Sequence, residues 1–296
     1  MAETHQEALL NRALALPCWQ RASDARLLEG GKTNHNVLVE DRGRRYVVRF
    51  GADIPEHGIL RWNELALTRA AAASGIGPGL HFHAPGLLVL DYVDARPLGR
   101  ADIDRPGAIA ELAALLHRVH RDTMRKVEGP VLSFWIFHIL RDYAGFLRRN
   151  GSAHLPLLPG FLEQAERLDD LVGGGPTVLG HNDLLPGNIL WDGSRFWLID
   201  WEYGGFGNPL FDLGGLASNN AFTPEEERAL LEAYDGRPAD AARFRQYAAM
   251  KCASLLRETL WSMVSEITSA IDFDYPAYTA ANLAAYRAAW SDLQSL

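Results

Sequence analysis

The stretch H-N-D-L-L-P-G-N-I-L-W-D-G-S-R-F-W-L-I-D-W-E, residues 181–202, constrains the fold of this chain more than any other. Pro186 and Gly187 suit neither a helix interior nor a central strand, so the first half must bend as a loop. Residues 189–191 and 196–199 are apolar runs joined by Asp192, Gly193 and Ser194, the pattern of a tight hairpin. From Pro106 onward everything else is helical in period, with helices expected over 106–121, 133–150, 159–172, 209–218, 224–234, 239–265 and 276–293. Proline at or near the first turn of several of them supports those starts. The hairpin is the one interruption expected in that region.

Upstream the pattern differs. Residues 4–16 have the spacing of a short amphipathic helix, with Thr4 as cap and Pro17 as stop. Strands follow at 26–29, 37–40 and 46–50, the last two joined by D-R-G-R, then a helix at 58–74 and strands at 79–82 and 87–93. The expectation is an α+β, two-lobed chain: a small N-terminal antiparallel-sheet lobe (1–93), a hinge rich in Gly, Pro and charge (94–104), and a larger, mainly helical C-terminal lobe (105–296). With 48% hydrophobic residues in 296, there is material for two cores.

The net charge of −8 argues against a nucleic-acid partner, because no basic run exceeds R-G-R-R at 42–45. Cys18 and Cys252 stand far apart, outside any C-x-x-C, as reduced thiols with no zinc site. The N-terminus lacks a charged-then-apolar signal pattern, and no apolar run approaches the about 18 residues that span a bilayer. A cytoplasmic, non-membrane protein is expected, monomeric or homodimeric.

The chemistry of residues 181–202 follows from their spacing. Asp183 precedes Asn188 by five positions, and Asp200 stands at the exit of the hairpin. Phosphoryl transfer asks a protein for positioning and charge neutralisation rather than covalent help. One carboxylate must orient an attacking hydroxyl and accept its proton; an oxygen-rich pair must hold Mg2+ on the phosphates of ATP. The interval Asp183 to Asn188 repeats that of a kinase catalytic loop, H-R-D-x-x-x-x-N. Asp183 is therefore expected as the base, and Asn188 and Asp200 as Mg2+ ligands. His181 is expected to support the loop by hydrogen bonding, Asp212 to brace it, and His117 and His120 to be packing or surface residues.

At the nucleotide end, E-G-G-K-T-N-H-N at 29–36 lies between two strands and can lay backbone N–H groups over phosphates. Gly30, Gly31, Thr33 and Asn34 are its expected contacts. It is not a Walker loop, since Arg26 stands where that spacing requires glycine. Arg49 ends Y-V-V-R where a kinase has V-A-I-K, and Glu64 on the next helix is its expected ion-pair partner. The backbone of Asp91 and Tyr92 is where an adenine would dock.

These motifs, with N-P-L-F-D-L-G at 208–214 and L-W-S-M-V-S-E-I-T-S-A-I-D-F-D-Y-P-A-Y at 260–278, resemble those of the choline/ethanolamine kinase family, a branch of the aminoglycoside phosphotransferase-like kinases, over nearly the whole chain. The resemblance implies a protein-kinase-like fold and ATP-dependent phosphorylation of a small cationic alcohol, choline first, with ethanolamine, thiamine or an aminoglycoside as alternatives. A nucleotide-binding module without turnover is the alternative of another class, disfavoured by the joint presence of Asp183, Asn188 and Asp200. The resemblance places Trp261, Phe273 and Tyr278 in the acceptor pocket, with Glu202 as the acid after the metal aspartate. Arg49 in place of lysine is typical of this branch. Glu258 stands where eukaryotic relatives carry a further cage tryptophan. A quaternary ammonium offers no hydrogen-bond donor, so ring faces and diffuse negative charge must recognise it, and Glu258 and Trp261, three apart on a helix, offer one of each.

Overall fold

A computed structural model of the chain describes residues 5–28, 34–271 and 273–296. In chain order the elements are α1 (His5–Leu14), β1 (Ala22–Leu28), β2 (His35–Asp41), β3 (Arg44–Phe50), α2 (Arg61–Ala73), β4 (Leu80–Ala84), β5 (Leu87–Asp91), β6 (Arg96–Pro97), α3 (Arg100–Ile103), α4 (Ala108–His117), α5 (Ile136–Arg149) and α6 (Leu158–Val172). They continue with β7 (Val178–Gly180), β8 (Ile189–Trp191), β9 (Phe196–Leu198), β10 (Gly205–Gly207), α7 (Pro209–Asn219), α8 (Pro224–Asp235), α9 (Ala241–Thr268) and α10 (Tyr275–Gln294).

The N-terminal sheet is antiparallel throughout, in the order β1-β2-β3-β5-β4. Its central turn is set by Arg42 (φ 52°) and Gly43 (φ 76°), both left-handed, as a two-residue hairpin requires. Side chains alternate across β3. Tyr46, Val48 and Phe50 bury against Leu9 and Ala13 of α1, whereas Val47 and Arg49 point to the opposite face, where the large cavity lies. That alternation is how an arginine reaches the interior of a small lobe.

The C-terminal lobe packs around α9, which is 28 residues long and lies against α5, α6, α7 and α10. Tyr247, Met250, Leu256, Trp261 and Val264 are buried around it, so α9 buries most of its circumference, polar Ser254, Arg257, Thr259 and Ser262 included. Residues between the lobes are stitched to the catalytic segment: β6 pairs with β8, and Leu98 N–H donates to the Ile189 carbonyl at 2.8 Å.

Several boundaries differ from the sequence expectation. The helix expected at 106–121 starts at Ala108, after a left-handed Gly107 (φ 84°), and runs on as a π turn over Arg118–Thr123. α9 extends three residues past the expected end at 265. The expected cap Thr4 lies outside the described residues. The helical lobe is also interrupted more than once, since β7 pairs antiparallel with β10. A Cβ on Gly205 would meet the Leu132 carbonyl at 2.8 Å, so only glycine fits this strand, and G-F-G reads as loop in sequence.

Candidate active site

The catalytic loop is held from behind by Asp212 on α7. Its carboxylate accepts the backbone N–H of His181 at 2.8 Å, that of Asn182 at 2.7 Å, and His120 Nε2–H at 3.0 Å. Burial alone would raise the Asp212 pKa; the hydrogen bond and charge of His120 overcome it and hold the group below the usual carboxylate range. His120 is itself buried and bonded to the Tyr234 hydroxyl, so it is part of this brace rather than a packing or surface residue. His181 hydrogen-bonds the Ile199 carbonyl through Nε2, tying the loop to the hairpin exit.

On this platform Asn188 Nδ2 donates to the Asp183 carboxylate at 2.9 Å and to the Asp183 carbonyl at 2.8 Å. With its N–H groups committed to Asp183, the Asn188 side chain offers its oxygen to a cation. Asp183 is 11% exposed, and burial raises its pKa well above the usual value; Arg257 opposes this, while Glu258, Asp200 and Glu202 add to it. Asp200 leaves β9 in a left-handed conformation (φ 66°), a strained state for a non-glycine residue, and lines the cavity together with Asn188.

Arg49 is the hub of an ion network on the other side of Asp200. Its guanidinium meets Glu64 at 2.8 Å, Glu202 at 3.2 Å, and Asp200 at close range. Arg61 bridges Glu64 at 2.7 Å and Glu202 at 3.1 Å, and Asn34 Nδ2 donates to Glu202 at 2.9 Å. The expected Arg49–Glu64 pair is thus present, but within a network of two arginines and three carboxylates. Arg61 was missed, although R-W-N-E places it three residues before Glu64 on one helix face. Glu202, expected at the acceptor, is placed by the structure in this ion network as well as on the cavity wall.

A cavity of about 500 Å³ is lined by Asn34, Arg49, Asp183, Asn188, Asp200 and Glu202. One end of it is an apolar slot lined by Leu28 and Val47 from the N-terminal sheet and by Leu190 and Ile199 from the catalytic hairpin. Asp91 and Tyr92 line it as well, with their N–H groups donating to the Gly79 and Arg45 carbonyls. Gly30, Gly31 and Thr33 lie outside the described residues.

At the acceptor end Trp261 is buried yet lines the cavity, donating from Nε1 to the Tyr203 hydroxyl at 2.8 Å and stacking on His57. Tyr278 meets Trp261 edge-on and donates to Glu258 Oε1 at 2.7 Å; Phe273 packs edge-on against Tyr278 and is 40% exposed. Glu258 Oε2 pairs with Arg257 at 2.9 Å. Arg257 and Tyr203 were missed. The signal for Arg257 is its place one turn before Trp261 on the buried face of α9, where an unpaired charge is rare.

His57 lies beneath Trp261, hydrogen-bonded to Tyr143 and Ser265, and burial with the charge of Arg257 lowers its pKa to about 3. A folded-state value below the ordinary 6.5 means the unfolded chain takes up the proton first. Stability from this group is full above the unfolded value and lost as pH falls toward the folded one. Going from roughly pH 7.5 to 5.5 should lower the unfolding free energy by about 1.4 kcal/mol through His57, and His57→Gln should flatten that slope. Denaturant unfolding of both proteins across this range measures it; equal slopes would refute it.

The model of the phosphotransferase enzyme family matches residues 24–247. The chain belongs to that family. Membership makes phosphotransfer its general activity and small-molecule kinase its enzyme class. Among curated relatives, the chain is 27% identical over 219 residues to Protein LicA of Haemophilus influenzae, a match covering 69% of this chain and 61% of LicA. It is 26% identical over 291 residues to the probable ethanolamine kinase A of Dictyostelium discoideum, covering 88% and 83%. Among solved structures, choline kinase LicA from Streptococcus pneumoniae superposes with a TM-score of 0.77 at 23% identity, covering 99% and 100% of the two chains. The fold is therefore the two-lobed kinase-like one that the family resemblance implies. No helix among the described residues is long and apolar enough to cross a membrane.

Proposed function

We propose that this kinase transfers the terminal phosphoryl group of ATP to the hydroxyl of a small cationic amino alcohol, choline first. The observation that carries this reading is the single cavity that joins an apolar slot, the Asp183–Asn188 pair and an acid-and-aromatic wall. A phosphoryl donor enters from one side and an alcohol from the other, and they meet at Asp183.

The acceptor hydroxyl gives its proton to Asp183 as its oxygen attacks the γ-phosphorus; the bond to the bridging oxygen breaks, and the electron pair leaves with ADP. The raised Asp183 pKa favours that proton transfer by bringing base and medium closer. Asn188 Oδ1 and Asp200 are the residues that would hold Mg2+, and their hard oxygen donors fit it. When bound, Mg2+ neutralises charge on the phosphates. Trp261 on the cavity wall offers a ring face to the cation and Glu258 offers negative charge, with Tyr278 holding the Glu258 carboxylate from behind the wall. Ethanolamine is the runner-up, because an ammonium can also donate to Glu258.

A radiolabelled-ATP assay over choline, ethanolamine, thiamine and an aminoglycoside tests the reading; no label in any acceptor would refute it. Trp261→Ala should raise the KM for choline by roughly three- to thirtyfold, as loss of a cation–π contact of about 0.5–2 kcal/mol implies, with little change in the KM for ATP.

A further inference from the structure

His57 belongs to the connection between β3 and α2, yet its side chain is buried against α5 and α9 of the C-terminal lobe. Its ring stacks on Trp261 of α9, with centroids 5.0 Å apart and planes inclined by 30°, and meets Tyr143 of α5 edge-on. Nδ1 is hydrogen-bonded to the Tyr143 hydroxyl at 3.3 Å and Nε2 to the Ser265 hydroxyl at 3.2 Å. The connection that carries the ring is itself held at both ends. Ile54 and Ile59 exchange both backbone hydrogen bonds, at 2.9 and 3.1 Å, around a left-handed Gly58 (φ 70°), and Ile59 is fully buried in the larger hydrophobic core. At the base, the Asp53 carboxylate accepts the Arg61 N–H at 2.7 Å, and Arg61 Nε donates to the Ala52 carbonyl at 2.7 Å.

Filling space does not call for a histidine here, because both of its nitrogens must find partners away from water. Hydroxyls supply them. The Tyr143 hydroxyl takes a hydrogen bond from Arg257, so its own proton can go to Nδ1, while Nε2–H goes to Ser265; a neutral imidazole satisfies the whole set. Arg257, one turn before Trp261 on α9, also disfavours charge on His57. Neutrality matters for the ring it touches. Trp261 lines the cavity, and an indole attracts a cation through its quadrupole, so an imidazolium 5.0 Å away would compete for that ring. A flat neutral partner instead fixes the plane of the indole, together with the Tyr203 hydroxyl at Nε1, and leaves its quadrupole to another cation.

We infer that His57 is a positioning residue for the acceptor: by fixing the plane of Trp261 it sets the preference of the pocket for a quaternary ammonium over a primary one. A quaternary ammonium is held by ring faces and diffuse charge alone, so a tilted indole weakens it directly, whereas a primary ammonium keeps its hydrogen bonds to Glu258. The inference rests on the proposed amino-alcohol acceptor and assigns a role to a side chain that does not line the cavity.

Two substitutions separate the ring from its hydrogen bonds. His57→Gln keeps polar partners for Tyr143 and Ser265 but removes the flat ring; His57→Phe keeps the ring and leaves both hydroxyls unmatched. Calorimetry with a non-hydrolysable ATP analogue and Mg2+ reads acceptor binding, labelled ATP reads transfer, and urea unfolding reads stability. His57→Gln should weaken choline about three- to tenfold, part of what a cation–π contact supplies, and ethanolamine less than about twofold, with binding of the ATP analogue unchanged. His57→Phe should be the less stable of the two, yet hold choline within about twofold of the wild type because the stack survives. On a Trp261→Leu background, where no indole remains to be positioned, His57→Gln should add nothing, the non-additivity of residues that act as a unit. A residue that merely supports the fold would rank the variants by stability, weaken both acceptors alike and add its loss on either background; any of these results overturns the inference. The Gln and Leu cycle gives the reading even where the phenylalanine variant does not fold. Label in choline with binding indifferent to His57→Gln sinks this inference alone. Choline binding that depends on His57, with no label in any acceptor, sinks the phosphotransfer reading alone, and a wild type that binds neither amino alcohol sinks both.

Discussion

Asp183→Ala is expected to lower kcat for the preferred acceptor by about 10²–10⁴-fold, the range spanned by loss of a positioned general base. The KM for ATP should move little, because the nucleotide slot is built from Leu28, Val47, Leu190 and Ile199, none of which depends on Asp183. The fold should survive as well. The loop is braced through the backbone N–H groups of His181 and Asn182 on Asp212, not through the Asp183 side chain. Removing a buried carboxylate that stands among Glu258, Asp200 and Glu202 also relieves repulsion. The expected signature is thus a dead enzyme with an unchanged or raised melting temperature. Asp183→Asn, which keeps the shape and the contact with Asn188, should be as slow as the alanine variant; a variant retaining a tenth of wild-type kcat would remove Asp183 from its role as base. Single-turnover measurement with saturating ATP separates the chemical step from binding.

What could be read from the chain beforehand divides along a physical line. The strands, the main helices and the catalytic loop announce themselves locally, because alternation, 3.6-residue periodicity and Pro-Gly turn chemistry act over a few residues. The Asp183–Asn188 contact is of that kind, since five residues and a bend suffice to bring the two together. The β7–β10 pair is not: it depends on Gly205 slipping beside Leu132, more than seventy positions away, and no local signal distinguishes that from a loop. The same holds for His120, whose role is created by Asp212 coming to meet it across the lobe. The acceptor wall is an intermediate case. Trp261 and Glu258 were visible as residues three apart, but that Glu258 would be taken up by Arg257 and Tyr278 required the packing of α10 on α9. Charge networks are the least legible, because a carboxylate chooses among guanidinium groups by three-dimensional proximity. Glu202 was expected from its family position to face the acceptor, whereas Arg49, Arg61 and Asn34 draw it toward the nucleotide side.

That network leads to the second large effect. Arg49→Met should destabilise the protein by about 3–5 kcal/mol, the range for removing one member of a buried ion cluster and leaving its partners uncompensated. The size follows from how much Arg49 neutralises: Glu64 and Glu202 are each 3% exposed at the side chain, and Asp200 is 20% exposed. Arg61 remains, but it reaches only Glu64 and Glu202, so Asp200 is the carboxylate left without a cation. Arg49's own pKa lies above the ordinary arginine value: burial lowers it, but the pull of Asp200, Glu64 and Glu202 outweighs that, so the positive charge is present at every accessible pH. Activity should fall too, through a raised KM for ATP, because the residue that spaces Asp200 from Glu202 beside the cavity is gone. The double variant Arg49→Met with Glu202→Gln separates charge from shape. If repulsion among orphaned carboxylates dominates, neutralising Glu202 recovers about 1–2 kcal/mol of the loss, a coupling in the range seen between contacting residues. If lost packing dominates, the second substitution adds its own penalty and the two effects sum. Urea unfolding of the four proteins of the cycle decides between them, and strict additivity would show that the network is held by shape rather than by charge.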